Sequence, residues 1–289
     1  MFAQVLFSGL ALGSIYGLVA LGFAVVFKAT DVFNFAQGML AVCGAYFAVT
    51  AISYLGLPFP LAVAFMIAAS AVLGVAIHMF LIQPLAGRSM LAVIMVTIAL
   101  AMVLKAAIEI LYGPQARVLD TPLPTGVYRI GELRISKLHL TAALVSWSCL
   151  AVFGAFFRFT SVGLLMRATA DGHEAAVASG VNVNAMNRLA WAIGSVLAGI
   201  GGLFLAQIQI VSTGLEHVGL LAALPAVVIG GMQSIPGAIV GGILVGLIEQ
   251  FAASYISPKS TDIVIYGLLL VILMVRPWGL LGQRELGRV

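Results

Sequence analysis

Charge is what this sequence has least of. Only 8% of its 289 residues are Asp, Glu, Lys or Arg, against about 25% in an ordinary soluble domain, while 62% are hydrophobic. That balance excludes a soluble globular enzyme, and the scatter of so few basic side chains excludes a nucleic-acid surface. Cysteine is nearly absent as well. Cys43 and Cys149 each sit inside an apolar run with no Cys or His at metal-ligand spacing, so they read as small buried hydrophobes and imply neither a disulfide nor a metal site. No GxxxxGK[ST] phosphate loop occurs, so the chain itself binds no ATP in that way. His78, His139, His173 and His217 lie on different elements, with no Ser-His-Asp or HExxH pattern. No catalytic, cofactor-binding or metal-ligating residue is therefore assigned.

What the sequence does have is apolar length. Crossing a ~30 Å hydrocarbon core takes ~20 helical residues, and runs of about that size recur at 4–27, 34–52, 60–82, 90–111, 138–157, 187–210, 217–232, 236–256 and 262–276. The seventh is short and glycine-rich, as a re-entrant or broken element would be. The first lacks a basic n-region and is longer than a signal-peptide core, so it is expected to be a retained span. The expected fold is an all-α, polytopic transmembrane helical bundle of about 8–9 spans forming a single transmembrane domain over 1–289. It has one outer loop at 112–137 and one cytoplasmic polar region at 158–186. With the N-terminus outside, eight basic residues face the cytoplasm: Lys28, Arg88, Arg158, Arg167, Arg188, Arg276, Arg284 and Arg288. Five lie outside: Arg117, Arg129, Arg134, Lys137 and Lys259. The positive-inside rule then favours N-out and C-in. Within the outer loop, the alternations VYRI and LRIS suggest a small β-hairpin cap.

Small residues recur every four positions at Gly9, Gly13, Gly17, at Gly194, Ala198, Gly202 and at Ala238, Gly242, Gly246. Each set makes a groove on one helix face, for close packing or a translocation path. Charges at membrane depth are costly and usually face an interior or a wet cavity. Lys105 and Glu109, four apart, either pair with each other or contact a zwitterionic solute, and Glu249 either lines a path or sits near the outer headgroups. Asp31 is placed to cap the second span, while Asn34 and Gln37 either bond between helices or face a pore.

The stretch RATADGHEAAVASGV, 167–181, is polar and helix-prone. Asp171 can cap its start and Gly180 can stop it by taking a left-handed conformation. A short, low-profile helix of this kind suits a groove on another protein, and an ordinary helical loop is the plainer reading. Glu174, Ala175, Ala176 and Gly180 resemble the first half of the Glu-Ala-Ala-(three residues)-Gly motif of ABC-importer permeases. Ala190, Ala192 and Ile193 stand where that motif continues with Ile, Leu and Pro. NFAQGMLAVCGAY (34–46), MVTIALAMVLKAAIEILYG (95–113), SVGLLMRATADGHEAAVASGVNV (161–183), VVIGGMQSIPGAIVGGILVGLIEQFAASY (227–255) and VILMVRPWGLLGQ (271–283) are similar, in the same order, to branched-chain amino acid ABC transporter permeases of the LivH type.

That resemblance implies a subunit of an inner-membrane importer for branched-chain or other hydrophobic amino acids. Family relatives carrying urea or short amides leave a second cargo class open. Its implied partners are a second related permease, two cytoplasmic ATPase subunits that use ATP and Mg, a periplasmic solute-binding protein and membrane lipids. The implied coupling residues are Glu174, Ala175, Ala176 and Gly180. In GGMQSIPGAIVGG, the Pro-Gly interruption between two short spans matches helix ends aimed at a midplane pathway, or else a tight helical hairpin. Ser234, Pro236, Gly237 and Gly241, with Asn34 and Gln37, are the candidate pathway or gate residues. A stand-alone channel or secondary transporter is the rival class, and it would move solute without partners.

Overall fold

The computed structural model describes residues 2–130 and 133–282. Gln283, Arg284 and Arg288, used above for the tail and for topology, lie outside them. Eleven helices and one two-stranded sheet follow one another among the described residues. The long ones are α1 (Phe2–Thr30), α2 (Gln37–Val49, continued by a π turn to Tyr54), α3 (Phe59–Ile77, continued by π and 3₁₀ turns to Leu85) and α4 (Met90–Tyr112). After the sheet come α5 (Lys137–Phe159), α6 (Ser161–Asp171), α7 (His173–Ala178) and α8 (Val183–Ile208), then α9 (Leu215–Gly230), α10 (Ile235–Tyr255) and α11 (Thr261–Val275). Eight helical segments are long and apolar enough to cross a membrane. The expected short seventh run is α9, with 16 residues. The chain is a multi-pass helical membrane protein.

The expected hairpin forms. β1 (Val127–Ile130) pairs antiparallel with β2 (Leu133–Ser136), Val127 opposite Ser136. The loop ahead of it is fastened to the end of α8: Arg117 pairs with Val211 through the backbone, and Gln207 donates to the Leu119 carbonyl at 2.9 Å.

Lipid tails are as apolar as leucine, so helices here gain from close backbone approach rather than from hydrophobic sorting. The glycine sets do that. Gly9, Gly13 and Gly17 of α1 meet Leu247, Ile243 and Ile239 of α10 in descending order, which makes the pair antiparallel and seats the α1 set against the Gly242–Gly246 set. On the other side Gly74 of α3 meets Trp191 of α8, and Ser70 meets Gly199, again antiparallel. Gly22 and Gly194 join α1 to α8, and Gly202 lies against the Ala41 carbonyl of α2.

The two halves share a pattern. Each of α1 and α8 is followed by a non-helical segment, 31–36 and 209–214, leading into α2 and α9. These segments turn back into the bundle. Gln37, at the start of α2, bonds the carbonyl of Val19, which lies eleven residues, or ~16 Å, before the end of α1. The starts of α2 and α9 meet each other, Gly38 lying against the Glu216 carbonyl and the Leu220 amide. The first break is mostly covered by protein, with Val32, Asn34 and Ala36 buried, whereas the second buries Val211 and exposes Gln209, Ile210 and Gly214.

Asp31 does not cap α2. It ends α1 in a left-handed conformation, φ 52°, with its amide on the Phe27 carbonyl at 2.8 Å, a conformation aspartate tolerates better than most residues. Asn34 instead closes a turn just ahead of the helix, its Oδ1 accepting from the amide of Ala36, the N-cap residue, at 3.1 Å.

Candidate functional site

One end of the bundle gathers most of the residues singled out from the sequence. There α5 stops at Thr160, whose hydroxyl accepts from the Gly163 amide at 3.0 Å and so opens α6. Gly163, Met166 and Thr169 turn inward. Asp171 is the last residue of α6 rather than the cap of the next helix, and it reaches Lys28 of α1 at 3.8 Å, an exposed pair of small energetic weight. Gly172 stands at the α7 N-cap instead.

The stop of α7 is built from its own residues. Gly180 has φ +79°, its amide bonds the Val177 carbonyl at 2.9 Å, and the Val181 amide bonds Ala176 at 3.0 Å. This pair of bonds is a Schellman closure, which favours glycine because the position is left-handed. Two residues on, Asn182 caps α8, accepting from the Ala185 amide at 3.1 Å. Within α7, Ala176 is buried, whereas Glu174, Ala175, Val177 and Ala178 are exposed. Among its described side chains, the helix is seated on the bundle by one alanine and shows a shallow outer face with a single carboxylate. A short four-residue link, 179–182, joins it to α8.

The GGMQSIPGAIVGG segment lies at the same end. It is a tight α9–α10 hairpin: Ser234 Oγ accepts from the Gly237 amide at 3.0 Å, and Pro236 occupies the first turn of α10. Gly237 lies against Gly230, and Gly241 lies against the Ala226 carbonyl. The tail after α11 returns here, its Leu280 and Leu281 amides bonding the Ile229 and Gly230 carbonyls at 2.8 and 2.9 Å. Ile235, in the turn, shares a small crevice with Lys28, Met166 and Ala170, so hairpin and α6 are neighbours. Ser234, Pro236, Gly237 and Gly241 are therefore brought together in one tight hairpin. Asn34 and Gln37 are not part of it.

Those two lie deeper, and both are completely buried. Asn34 Nδ2 donates to Gln37 Oε1 at 3.0 Å, and Gln37 Nε2 donates to the Val19 and Gly194 carbonyls, each at 3.3 Å. Of the two readings open from the sequence, this is the interhelical one, tying α1, α2 and α8. Thr97 of α4 supports the same break, donating to the Phe33 carbonyl at 3.1 Å and accepting from the Phe35 amide at 3.4 Å.

Lys105 and Glu109 do not pair with each other. Lys105 faces Glu216 of α9 at 3.7 Å, and Glu109 accepts from the Thr213 hydroxyl at 3.1 Å. The reason is tertiary: α9 begins beside α4 and brings a carboxylate closer than the next turn of α4 does. Glu249 lies against the Tyr16 hydroxyl, side chain to side chain. Glu216 had a signal in the sequence, an acidic residue just before an apolar run, where a helix start favours negative charge. Thr97 had none, since nothing local links it to Phe33.

A multi-pass bundle with non-helical breaks before α2 and α9, glycine-packed crossings and a short helix displayed at one end fits a membrane permease. Residues 5–274 match the family model described as "Branched-chain amino acid transport system / permease component", and the chain belongs to that family. It is 30% identical to the high-affinity branched-chain amino acid transport system permease protein BraD of Pseudomonas aeruginosa, over 100% of this chain and 98% of BraD. It is 27% identical to the corresponding permease protein LivH of Escherichia coli K12, with the same coverage. A probable LivH from the archaeon Methanocaldococcus jannaschii is 25% identical over 92% of this chain and 88% of the relative.

Proposed function

We propose that this chain is the membrane permease of an ATP-driven importer for branched-chain amino acids, lying N-out and C-in in a bacterial inner membrane. The observation that carries the reading is family membership along nearly the full chain, joined to a short helix displayed at one end. ATP and Mg are used by two cytoplasmic ATPase subunits docked on α7. A second permease and a periplasmic solute-binding protein complete the assembly. Glu174 supplies the charged contact, Ala175 and Ala176 keep the helix low, and Gly180 holds its end so that a push enters α8.

Asn34 and Gln37 serve the pathway by holding the broken start of α2 in place rather than by touching solute. Ser234, Pro236, Gly237 and Gly241 serve as the hinge that α6 leans on. A bulky residue at Gly241 is a poor test of gating, because it would collide with the Ala226 carbonyl whatever the hinge does.

The test is uptake of radiolabelled leucine into cells carrying this chain with its partner subunits, set against Glu174→Lys and Gly180→Val. Both variants are expected at normal membrane levels, with uptake and ATPase co-purification reduced about tenfold or more. Unchanged co-purification with full substrate-stimulated hydrolysis refutes the coupling role. Leucine flux into liposomes containing this chain alone refutes the importer reading in favour of a self-sufficient transporter.

A further inference from the structure

A groove of about 540 Å³ lies where α3, α5 and α8 meet. Its floor is one stripe of α8, Leu189, Ile193, Val196 and Ile200, spaced to share a helix face. Ala71 of α3 forms one wall, and Val152 and Phe156 of α5 form the other. Val152 is 69% exposed, so the groove opens outward, toward lipid. The Ser148 hydroxyl on its lining already donates to the Leu144 carbonyl of its own helix at 2.8 Å. A polar ligand would lose water there without gaining a partner, so the groove suits hydrocarbon.

Its length matches one leaflet. From Leu189 to Ile200 the floor follows eleven residues of α8, or ~16 Å, about half of a ~30 Å hydrocarbon core. It begins near the α7 end, since Leu189 lies six residues after Val183, the first of α8, and Phe156 three residues before the end of α5. A crossing helix would need the full depth. Such a helix also gains from close backbone approach, and α8 turns its glycines elsewhere: Gly194 toward Gly22 of α1, Gly199 toward Gly44 of α2 and Gly202 toward Ala41. Among the described residues no glycine lines the groove. A flexible acyl chain needs none, because it makes its dispersion contacts with branched side chains directly.

Cations stand where the groove nears the α7 end. Arg188 precedes Leu189 on α8, and Arg158 follows Phe156 by two residues on α5. Arg167 of α6 donates to the Arg158 carbonyl at 3.4 Å. The ion pairs among the described residues are Lys28 with Asp171 and Lys105 with Glu216, and neither involves these three arginines. Basic side chains at the membrane surface attract anionic lipid, and a guanidinium matches a phosphate in geometry as well as in charge.

We propose that the groove binds one anionic phospholipid of the leaflet at the α7 end, with an acyl chain along α8 between α3 and α5 and its phosphate at Arg188. Arg158 and Arg167 add to the positive field from the other wall. Bound there, the lipid bridges the end of α5 and the start of α8 on either side of α6 and α7. The site does not depend on which solute is carried.

Native mass spectrometry of the full-length chain in detergent, titrated with palmitoyl-oleoyl phosphatidylglycerol or with phosphatidylcholine of the same chains, tests the site. One phosphatidylglycerol is expected to bind about tenfold more tightly than phosphatidylcholine. Arg188→Ala should bring the two lipids within about twofold of each other, and Arg188→Lys should keep part of the preference. Ile193→Trp should fill the groove and release both. Arg276→Ala, beyond α11, should leave the preference intact. Gel filtration and a melting curve establish that each variant is folded. Equal binding of the two lipids by wild type overturns the proposal. So does unchanged phosphatidylglycerol binding in folded Arg188→Ala or Ile193→Trp, or an equal loss of preference in Arg276→Ala, which would make the effect one of general surface charge. The chain co-purified with a second permease is expected to retain its phosphatidylglycerol. Displacement of the lipid on pairing would make the groove a protein interface and overturn the lipid site.

Discussion

α1 and α4 are both long, uninterrupted apolar helices, yet 94% of the most apolar stretch of α1 is buried and only 17% of that of α4. Apolar content does not separate them. Glycine does: α1 carries Gly9, Gly13, Gly17 and Gly22, each against a neighbouring backbone, whereas α4 has none. The rim helices α5 and α11 have one each, Gly154 and Gly267, with open space around both. In lipid, the residue that marks the inside is the one that lets backbones touch, because exposing leucine to the membrane costs little.

The sharpest way to break this contrast is to add a side chain at the α1–α10 crossing. Gly13→Val would place its Cβ 2.7 Å from the Ile243 Cα, where only backbone can yield. A loss of about 3 kcal/mol is expected, read as a large drop in melting temperature in detergent. A melt within a degree of wild type would contradict the glycine account.

Polar fastening inside the core comes next. Gln37→Leu removes the bonds to Val19 and Gly194 and leaves the Asn34 amide without its acceptor. Its expected cost is about 1–2 kcal/mol by the same melt, small because membrane hydrogen bonds average well under their vacuum strength.

At the α9–α10 hairpin, Ser234→Ala deletes an N-cap and should cost about 1 kcal/mol, with Ser234→Asp regaining most of it. Equal stability of the Ala and Asp variants would show that the cap is not needed there.

The smallest effect is expected at the rim and has the opposite sign. Gly154→Ala and Gly267→Ala add a methyl to open space in helix interiors and should stabilise by about 0.5–1 kcal/mol through helix propensity alone. Destabilisation by either would mean that a neighbour covers that rim face in the assembly.

Much of the fold is legible in the sequence. Run lengths set the helices, the VYRI and LRIS alternations set the hairpin, and the four-residue glycine spacing marked faces that do pack, two of them on each other. The candidate site was legible in part. Gly180 stops α7 as its sequence suggests, because the closing bonds come from Ala176 and Val177, its own neighbours. Asp171 and Asp31 were misplaced by one element each, since an aspartate between two helices can cap the second or end the first, and the choice depends on where each helix packs. The partner of Lys105 was not legible at all, because Glu216 is 111 positions away along the chain and reaches it only once α9 turns back beside α4.

By itself the sequence determined a multi-pass helical permease with a short helix between its two halves, since apolar length, turn chemistry and glycine spacing act over a few residues. Only the tertiary structure decided which helices are core and which are rim, that Asn34 and Gln37 fasten a helix break, and that Ala71, Val152, Phe156 and Ile193 line one groove. Each of those depends on backbones distant in sequence coming within a few ångströms of one another, and local chemistry does not encode that.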